Sequence, residues 1–152
     1  MTKSFTASAI AILALIGVGS ATAQQFGTAD EARAMLDRAI TALKSDEATA
    51  LKEISDANNK EFHDRDLYVS CFNTLDGKFT AFPSPGMIGM DVRTFTFDND
   101  PIGQRAYDAL QGIPEGTLAT MDYKFSRGGK PATKQSIEVR IGHEGCGVAY
   151  YK

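Results

Sequence analysis

The C-terminal end of the chain is patterned as three consecutive β-strands, and this pattern constrains the fold more than any other feature of the sequence. Residues 117–125, 133–141 and 146–151 have the composition and alternation of strands. Short glycine-containing stretches, at residues 127–129 and 142–145, separate them. Turns this short join antiparallel neighbours. The sequence therefore predicts an antiparallel sheet in this part of the chain.

An amphipathic helix is predicted near the N-terminal end. Thr28 and Glu31 have the spacing of a capping box, in which each side chain bonds the backbone N–H of the other residue. A second cap, at residues 45–47, begins either a shorter helix or a bent continuation of the first. The apolar face of such a helix has to pack on another element. That face consists of Ala32, Met35, Leu36, Ala39, Ile40 and Leu43.

The middle of the chain begins with a predicted hairpin. Residues 67–73 are rich in strand formers, Asp76 and Gly77 form a turn signal, and residues 78–82 read as the returning strand.

A single helix is predicted between this hairpin and the last three strands. Asp100 is the expected N-cap and Pro101 the first helical residue, with an end near Gln111. Residues 87–99 are expected to be a loop with at most one short helix. The order of elements predicts one α+β domain over residues 24–152.

Residues 1–23 have the pattern of a signal peptide. Lys3 supplies the positive start, residues 9–18 form an apolar run, and residues 21–23 read Ala-Thr-Ala, a small-x-small cleavage site. The alternative is an uncleaved membrane anchor, but the apolar run is shorter than the roughly 20 residues that a spanning helix needs. We therefore expect an exported protein, with the bacterial periplasm as its compartment.

Cys71 and Cys146 are the only cysteines in the chain. In an oxidising compartment such a pair is expected to form a disulfide. The alternatives are two free buried thiols, or a nucleophilic cysteine paired with a histidine.

The remaining composition argues against several classes of protein. A net charge of −3 and a pI of about 5.3 argue against nucleic acid as a partner. No serine-hydrolase or zinc-protease motif is present, and no haem-attachment motif, so we expect neither an enzyme nor a cofactor. One polar cluster comprises Glu61, His63, Asp64 and Asp66. Such residues could hold a divalent cation. We favour the alternative, a solvated loop with local ion pairs.

Four stretches, in this order, carry a family resemblance: residues 64–69 (DRDLYV), 76–83 (DGKFTAFP), 88–91 (IGMD) and 146–151 (CGVAYY). With the order of elements, they resemble the single Cache domain, a PAS-like extracytoplasmic sensor module of bacterial chemoreceptors and histidine kinases. The resemblance covers residues 26–152. It implies a five-stranded antiparallel sheet of order 2-1-5-4-3, with a long N-terminal helix packed on one face, one crossover helix, and a small-molecule pocket on the other face. Strands 1 and 5 then become neighbours, which can place the two cysteines opposite each other.

The resemblance also implies candidate ligand-binding residues. Tyr123 stands in a segment that is similar to the family's Asp-Tyr pair, and Lys134 matches a family lysine. Arg140 lies on the same side of its strand as Lys134, a side that is either solvent-exposed or turned toward a pocket. Tyr107 and Arg93 are weaker candidates, which could equally be packing and surface residues.

Two further features bear on the pocket. Phe82 stands where the family has a histidine, which removes one polar group. Gly147, Ala149 and Ser70 are small, and they either leave volume for a ligand or let a helix approach the sheet closely.

The function expected from the resemblance is non-catalytic binding of a small organic ligand, a short carboxylate or similar polar metabolite. Receptors of this family carry transmembrane helices and an output domain, and the sequence shows neither. Signalling is therefore expected to pass through a separate membrane receptor or histidine kinase. The alternative is a ligand-free structural or inhibitory module that contacts other proteins.

Overall fold

The computed structural model describes residues 25–152, so the predicted signal peptide lies outside the described residues. The helices are α1 (Ala29–Ser45), α2 (Glu47–Ile54) and α3 (Ile102–Leu110). The strands are β1 (His63–Asp64), β2 (Leu67–Asn73), β3 (Phe79–Ala81), β4 (Leu118–Arg127), β5 (Lys130–Ile141) and β6 (Glu144–Tyr151). The fold is therefore α+β, as predicted.

All strand pairs of the sheet are antiparallel. From β2 the sheet runs through β6 and β5 to β4, while β1 and β3 both pair with β2. Five of these strands correspond to the predicted ones. The two-residue β1 is an addition, because a strand this short carries no alternation that the sequence could reveal.

The predicted capping box begins α1. The backbone N–H of Glu31 donates to Oγ1 of Thr28 at 3.2 Å, and the N–H of Thr28 donates to Oε2 of Glu31 at 2.8 Å. At the other end, the carboxylate of Asp46 accepts a hydrogen bond from the N–H of Thr49 and so caps α2. The backbone of Asp46 is extended, which separates the two helices and excludes one bent helix.

The main core lies between α1 and one face of the sheet. Helix α1 packs against β2, β5 and β6. It contributes Ala32, Met35, Leu36, Ala39 and Leu43, and the facing strand residues include Val69, Ile137, Val139, Ile141 and Val148.

A disulfide crosses the two central strands within this core. Cys71 on β2 lies directly opposite Cys146 on β6, and their Sγ atoms are 2.06 Å apart. Both residues are buried. The predicted disulfide is confirmed, and free thiols and a nucleophilic cysteine are excluded at these positions.

A smaller core covers the opposite face of the sheet, around Phe72, Phe79, Val92 and Leu110. Helix α3 rests there on a 3-10 helix, Val92–Thr94, so closely that a Cβ atom at Gly103 would lie 1.8 Å from the carbonyl oxygen of Val92. The 3-10 helix Val92–Thr94 lies within residues 87–99, where the sequence predicts a loop with at most one short helix, and a further 3-10 helix, Pro85–Met87, begins just before that stretch.

The predicted start of α3 is wrong by about one residue. Its N-cap is Pro101, which has no side chain that can cap, and Asp100 does not cap the helix. The Asp100 carboxylate is instead bound by the Arg105 guanidinium at 2.7 Å. The Asp100 carboxylate, which the sequence pattern predicts as the N-cap of α3, therefore forms an ion pair instead.

Candidate ligand-binding site

A cavity of about 100 Å³ lies on the face of the sheet opposite α1. Strands β2, β4, β5 and β6 form its floor, and the segment from β3 to α3 forms its roof. The floor residues include Ser70, Met121, Tyr123, Ser136, Glu138, Gly147 and Ala149. The roof residues include Phe79, Phe82, Val92, Phe95, Ile102 and Ala106.

Small residues on β2 and β6 create the space in the floor. Ser70, Gly147 and Ala149 all line the cavity, and α1 packs on the other face of the sheet. These three small residues therefore leave volume rather than admit a helix. Gly145, two residues before Gly147 on β6, does admit a helix, because a Cβ atom there would lie 2.7 Å from Leu110 of α3.

Aromatic rings dominate the walls of the cavity. The ring of Phe82 lies 5.4 Å from that of Phe79 and 5.4 Å from that of Tyr68, and the Phe79 ring lies 6.3 Å from that of Phe95. Edge-to-face and tilted contacts of this kind hold each ring in place. Phe82 is thus part of an apolar wall.

Glu138 brings a carboxylate into this apolar setting. Its exposed fraction is 6%, and burial raises the pKa of its carboxyl group. The Ser136 hydroxyl donates to Oε1 at 2.8 Å, while Oε2 has no hydrogen-bond partner. Gly147 lies directly opposite on β6, where a Cβ atom would come within 2.9 Å of Cγ of Glu138. The glycine therefore makes room for the glutamate side chain.

Comparison with known proteins gives matches of structure. No family model and no curated protein matches the sequence. A methyl-accepting chemotaxis protein from Vibrio parahaemolyticus RIMD 2210633 superposes with a TM-score of 0.58 at 16% identity, over 80% of this chain and 86% of that chain. A periplasmic sensor domain of a chemotaxis protein gives 0.54 at 16% identity, over 80% and 88%. A Cache chemosensory domain described for carboxylic acid recognition gives 0.54 at 15% identity, over 80% and 86%.

The fold is that of a single Cache-like domain. Within residues 25–152, no helix combines the length and the apolar character that crossing a membrane requires.

Of the five predicted ligand-binding residues, Tyr123 lines the cavity of this Cache-like domain. Burial raises the pKa of its phenol group. Lys134 lies opposite Tyr123 in the β4–β5 register but outside the cavity lining. The Lys134 ammonium group is buried, lies 3.7 Å from Oδ2 of Asp66 and sits over the Tyr151 ring at 4.6 Å. Burial lowers the pKa of Lys134, and Asp66 opposes that shift.

The other three predicted residues also lie outside the cavity lining and are held by nearby groups. Arg140 donates to the backbone carbonyls of Ile113 and Gly142 at 3.0 Å. The Tyr107 hydroxyl donates to a backbone carbonyl at 3.0 Å. Arg93 forms an ion pair with Asp91 at 2.6 Å and lies over the Tyr107 ring. Each of these three side chains thus already has a partner within the protein.

Ser136 and Glu138 were missed as site residues, although the alternation along β5 contained the signal. It places both on the same side as Lys134, and that side is the floor of the cavity. The polar cluster near β1 has a structural explanation instead: Asp64 pairs with Arg65 at 2.8 Å, and Arg65 also binds Glu31 at 2.7 Å. Local ion pairing thus accounts for Asp64.

Proposed function

We propose that this Cache-like domain is a non-catalytic, periplasmic sensing domain that binds one small organic molecule in the cavity between the sheet and α3. The observation that carries the proposal is the cavity itself, a largely apolar space with a few polar residues, among which the Ser136–Glu138 pair supplies a carboxylate. Sites for small molecules have this composition. The similar structures support it, since one is a periplasmic sensor domain of a chemotaxis protein and another is a methyl-accepting chemotaxis protein.

The size of the cavity limits the ligand. A volume of about 100 Å³ is somewhat smaller than the roughly 150 Å³ cavity that accommodates benzene in another protein. The ligand is therefore a molecule of a few non-hydrogen atoms. The carboxylate that the resemblance implies would need a cation in the site, and the three predicted cations, Arg93, Lys134 and Arg140, lie outside the lining.

Strands β5 and β6 connect the cavity to the core under α1, so a change at the cavity can shift α1. On β5, Glu138 faces the cavity while Val139 is part of the α1 core, and on β6 Gly147 faces the cavity while Cys146 lies in that core. A ligand that favours one arrangement of these strands also favours one position of α1. A membrane receptor or histidine kinase that contacts α1 would read that position.

The proposal predicts a specific ligand-induced gain in stability. The purified protein is screened by thermal shift against organic acids, amines, amino acids and neutral metabolites. A ligand at about 100 times its Kd should add roughly 2.7 kcal/mol to the free energy of unfolding. In Ala149→Leu the larger side chain fills the floor of the cavity, so the shift should disappear.

The matched control is Thr120→Leu, an exposed site on the opposite side of the sheet, which should keep the shift. If no compound stabilises the protein, the proposal is wrong and the ligand-free interaction module becomes the better account. If Ala149→Leu responds as the parent does, the ligand binds elsewhere.

A further inference from the structure

We infer that the cavity selects a small organic ammonium ion over a carboxylate of the same size. The inference rests on the proposed function and names the chemical class of its ligand. It starts from Glu138, the only carboxylate or basic side chain among the residues that line the cavity within the described part of the chain.

The Glu138 carboxylate has one oxygen satisfied and one free. Ser136 fixes Oε1 with a hydrogen bond of 2.8 Å, which orients the group. Oε2 is buried and has no hydrogen-bond partner. A buried acceptor of this kind is unfavourable until a donor reaches it. An ammonium group supplies both the N–H donor and the charge that compensates the buried carboxylate.

The surrounding rings favour the same charge. Phe79, Phe82 and Phe95 belong to the roof, and Tyr68 and Tyr123 belong to the floor strands β2 and β4. The faces of aromatic rings attract cations, and more strongly where water is excluded. The apolar residues accommodate the carbon chain of such a ligand.

A carboxylate ligand meets the opposite conditions. Its charge would lie beside Glu138, and like charges at close range disfavour each other's ionised form. Lys134, a buried cation on the same side of β5, is already 3.7 Å from Asp66 and lies outside the lining. Arg105, whose positive charge acts on Glu138, also lies outside the lining and is paired with Asp100 at 2.7 Å.

The test compares ligand pairs of equal carbon number by titration calorimetry with the purified protein. The pairs are ethylammonium with acetate, n-propylammonium with propionate, and n-butylammonium with butyrate. At least one ammonium ion should bind more tightly than its partner carboxylate. Glu138→Gln should weaken that binding about tenfold or more, because it replaces a charge-assisted hydrogen bond with a neutral one. Ser136→Ala should weaken it less, since the carboxylate remains.

The matched control is Glu144→Gln. Glu144 is also buried and accepts a hydrogen bond from Thr80, but it lies outside the cavity lining, so ammonium binding should be unchanged. Tighter binding of the carboxylates, or equal ammonium binding by Glu138→Gln, overturns the inference and leaves the proposed function standing. If the broad screen yields ligands but none of the ammonium ions binds, the inference is again wrong. If nothing in the broad screen binds, the proposed function fails with it.

Discussion

Glu138 is a carboxylate that the fold buries without a full set of partners. The burial of the group raises the pKa of its carboxyl, while the hydrogen bond from Ser136 and the positive charge of Arg105 oppose this shift. The Tyr123 phenol faces the same region and is itself made harder to ionise. In the ligand-free protein, ionised Glu138 is therefore a source of instability.

Glu138→Gln should stabilise the ligand-free protein in a pH-dependent way. The unfolded chain loses this proton near pH 4.3, whereas the folded protein holds it to a higher pH. The stability of the parent thus falls as pH rises from the unfolded pKa through the raised folded pKa. The advantage of the variant should be small below about pH 4 and largest above the folded pKa. Urea unfolding of both proteins between pH 4 and pH 8 measures the difference in their free energies of unfolding. A difference that does not change with pH would contradict a raised pKa of Glu138 in the folded protein.

At the scale of the elements, local signals predicted the helices and strands well. The capping box places the start of α1 because it depends on residues only three positions apart, and a run of strand-forming residues predicts β2 with its observed bounds, Leu67–Asn73. The start of α3 was misjudged because Arg105, within the helix itself, binds the expected capping carboxylate. Sequence pattern does not reveal which of two partners a carboxylate takes.

The N-terminal cap of α1 should contribute measurably to stability. Thr28→Ala removes the hydroxyl that accepts from the Glu31 backbone, so the free energy of unfolding should fall by about 1 kcal/mol. Thr41→Ala is the control: this exposed threonine only donates back to the Asp37 carbonyl within the same helix, and its loss should have little effect. Equal effects of the two substitutions in urea unfolding would mean that the capping box does not stabilise α1.

At the scale of the whole molecule, the sheet separates a hydrophobic core under α1 from a cavity of about 100 Å³ under α3. The disulfide could be predicted because export and the implied neighbour relation of two strands both pointed to it. The cavity residues could be predicted only in part. Their positions depend on how the segment from β3 to α3 folds over the sheet, which brings Phe79, Phe82 and Phe95 above Glu138, and no local pattern encodes that arrangement.

The disulfide should be a major contributor to global stability. It closes a loop with a sequence separation of 75 residues, for which the chain-entropy model gives about 4 kcal/mol. The double variant Cys71→Ala/Cys146→Ala should lose a free energy of unfolding of this order in urea denaturation. A reducing agent should destabilise the parent similarly and leave the double variant unchanged. A loss well below 1 kcal/mol would show that the unfolded chain is not constrained by this link.

The pairing of Gly147 with Glu138 across β5 and β6 has a consequence for how such chains diverge. A side chain at position 147 would displace the glutamate. With a shorter residue at position 138, the steric contact with Glu138 would no longer require glycine at position 147. In chains descended from a common ancestor with this one, the two positions should therefore change together. If Glu138 selects the ligand, as we infer, a change of ligand class would be visible as that paired replacement before any ligand is known.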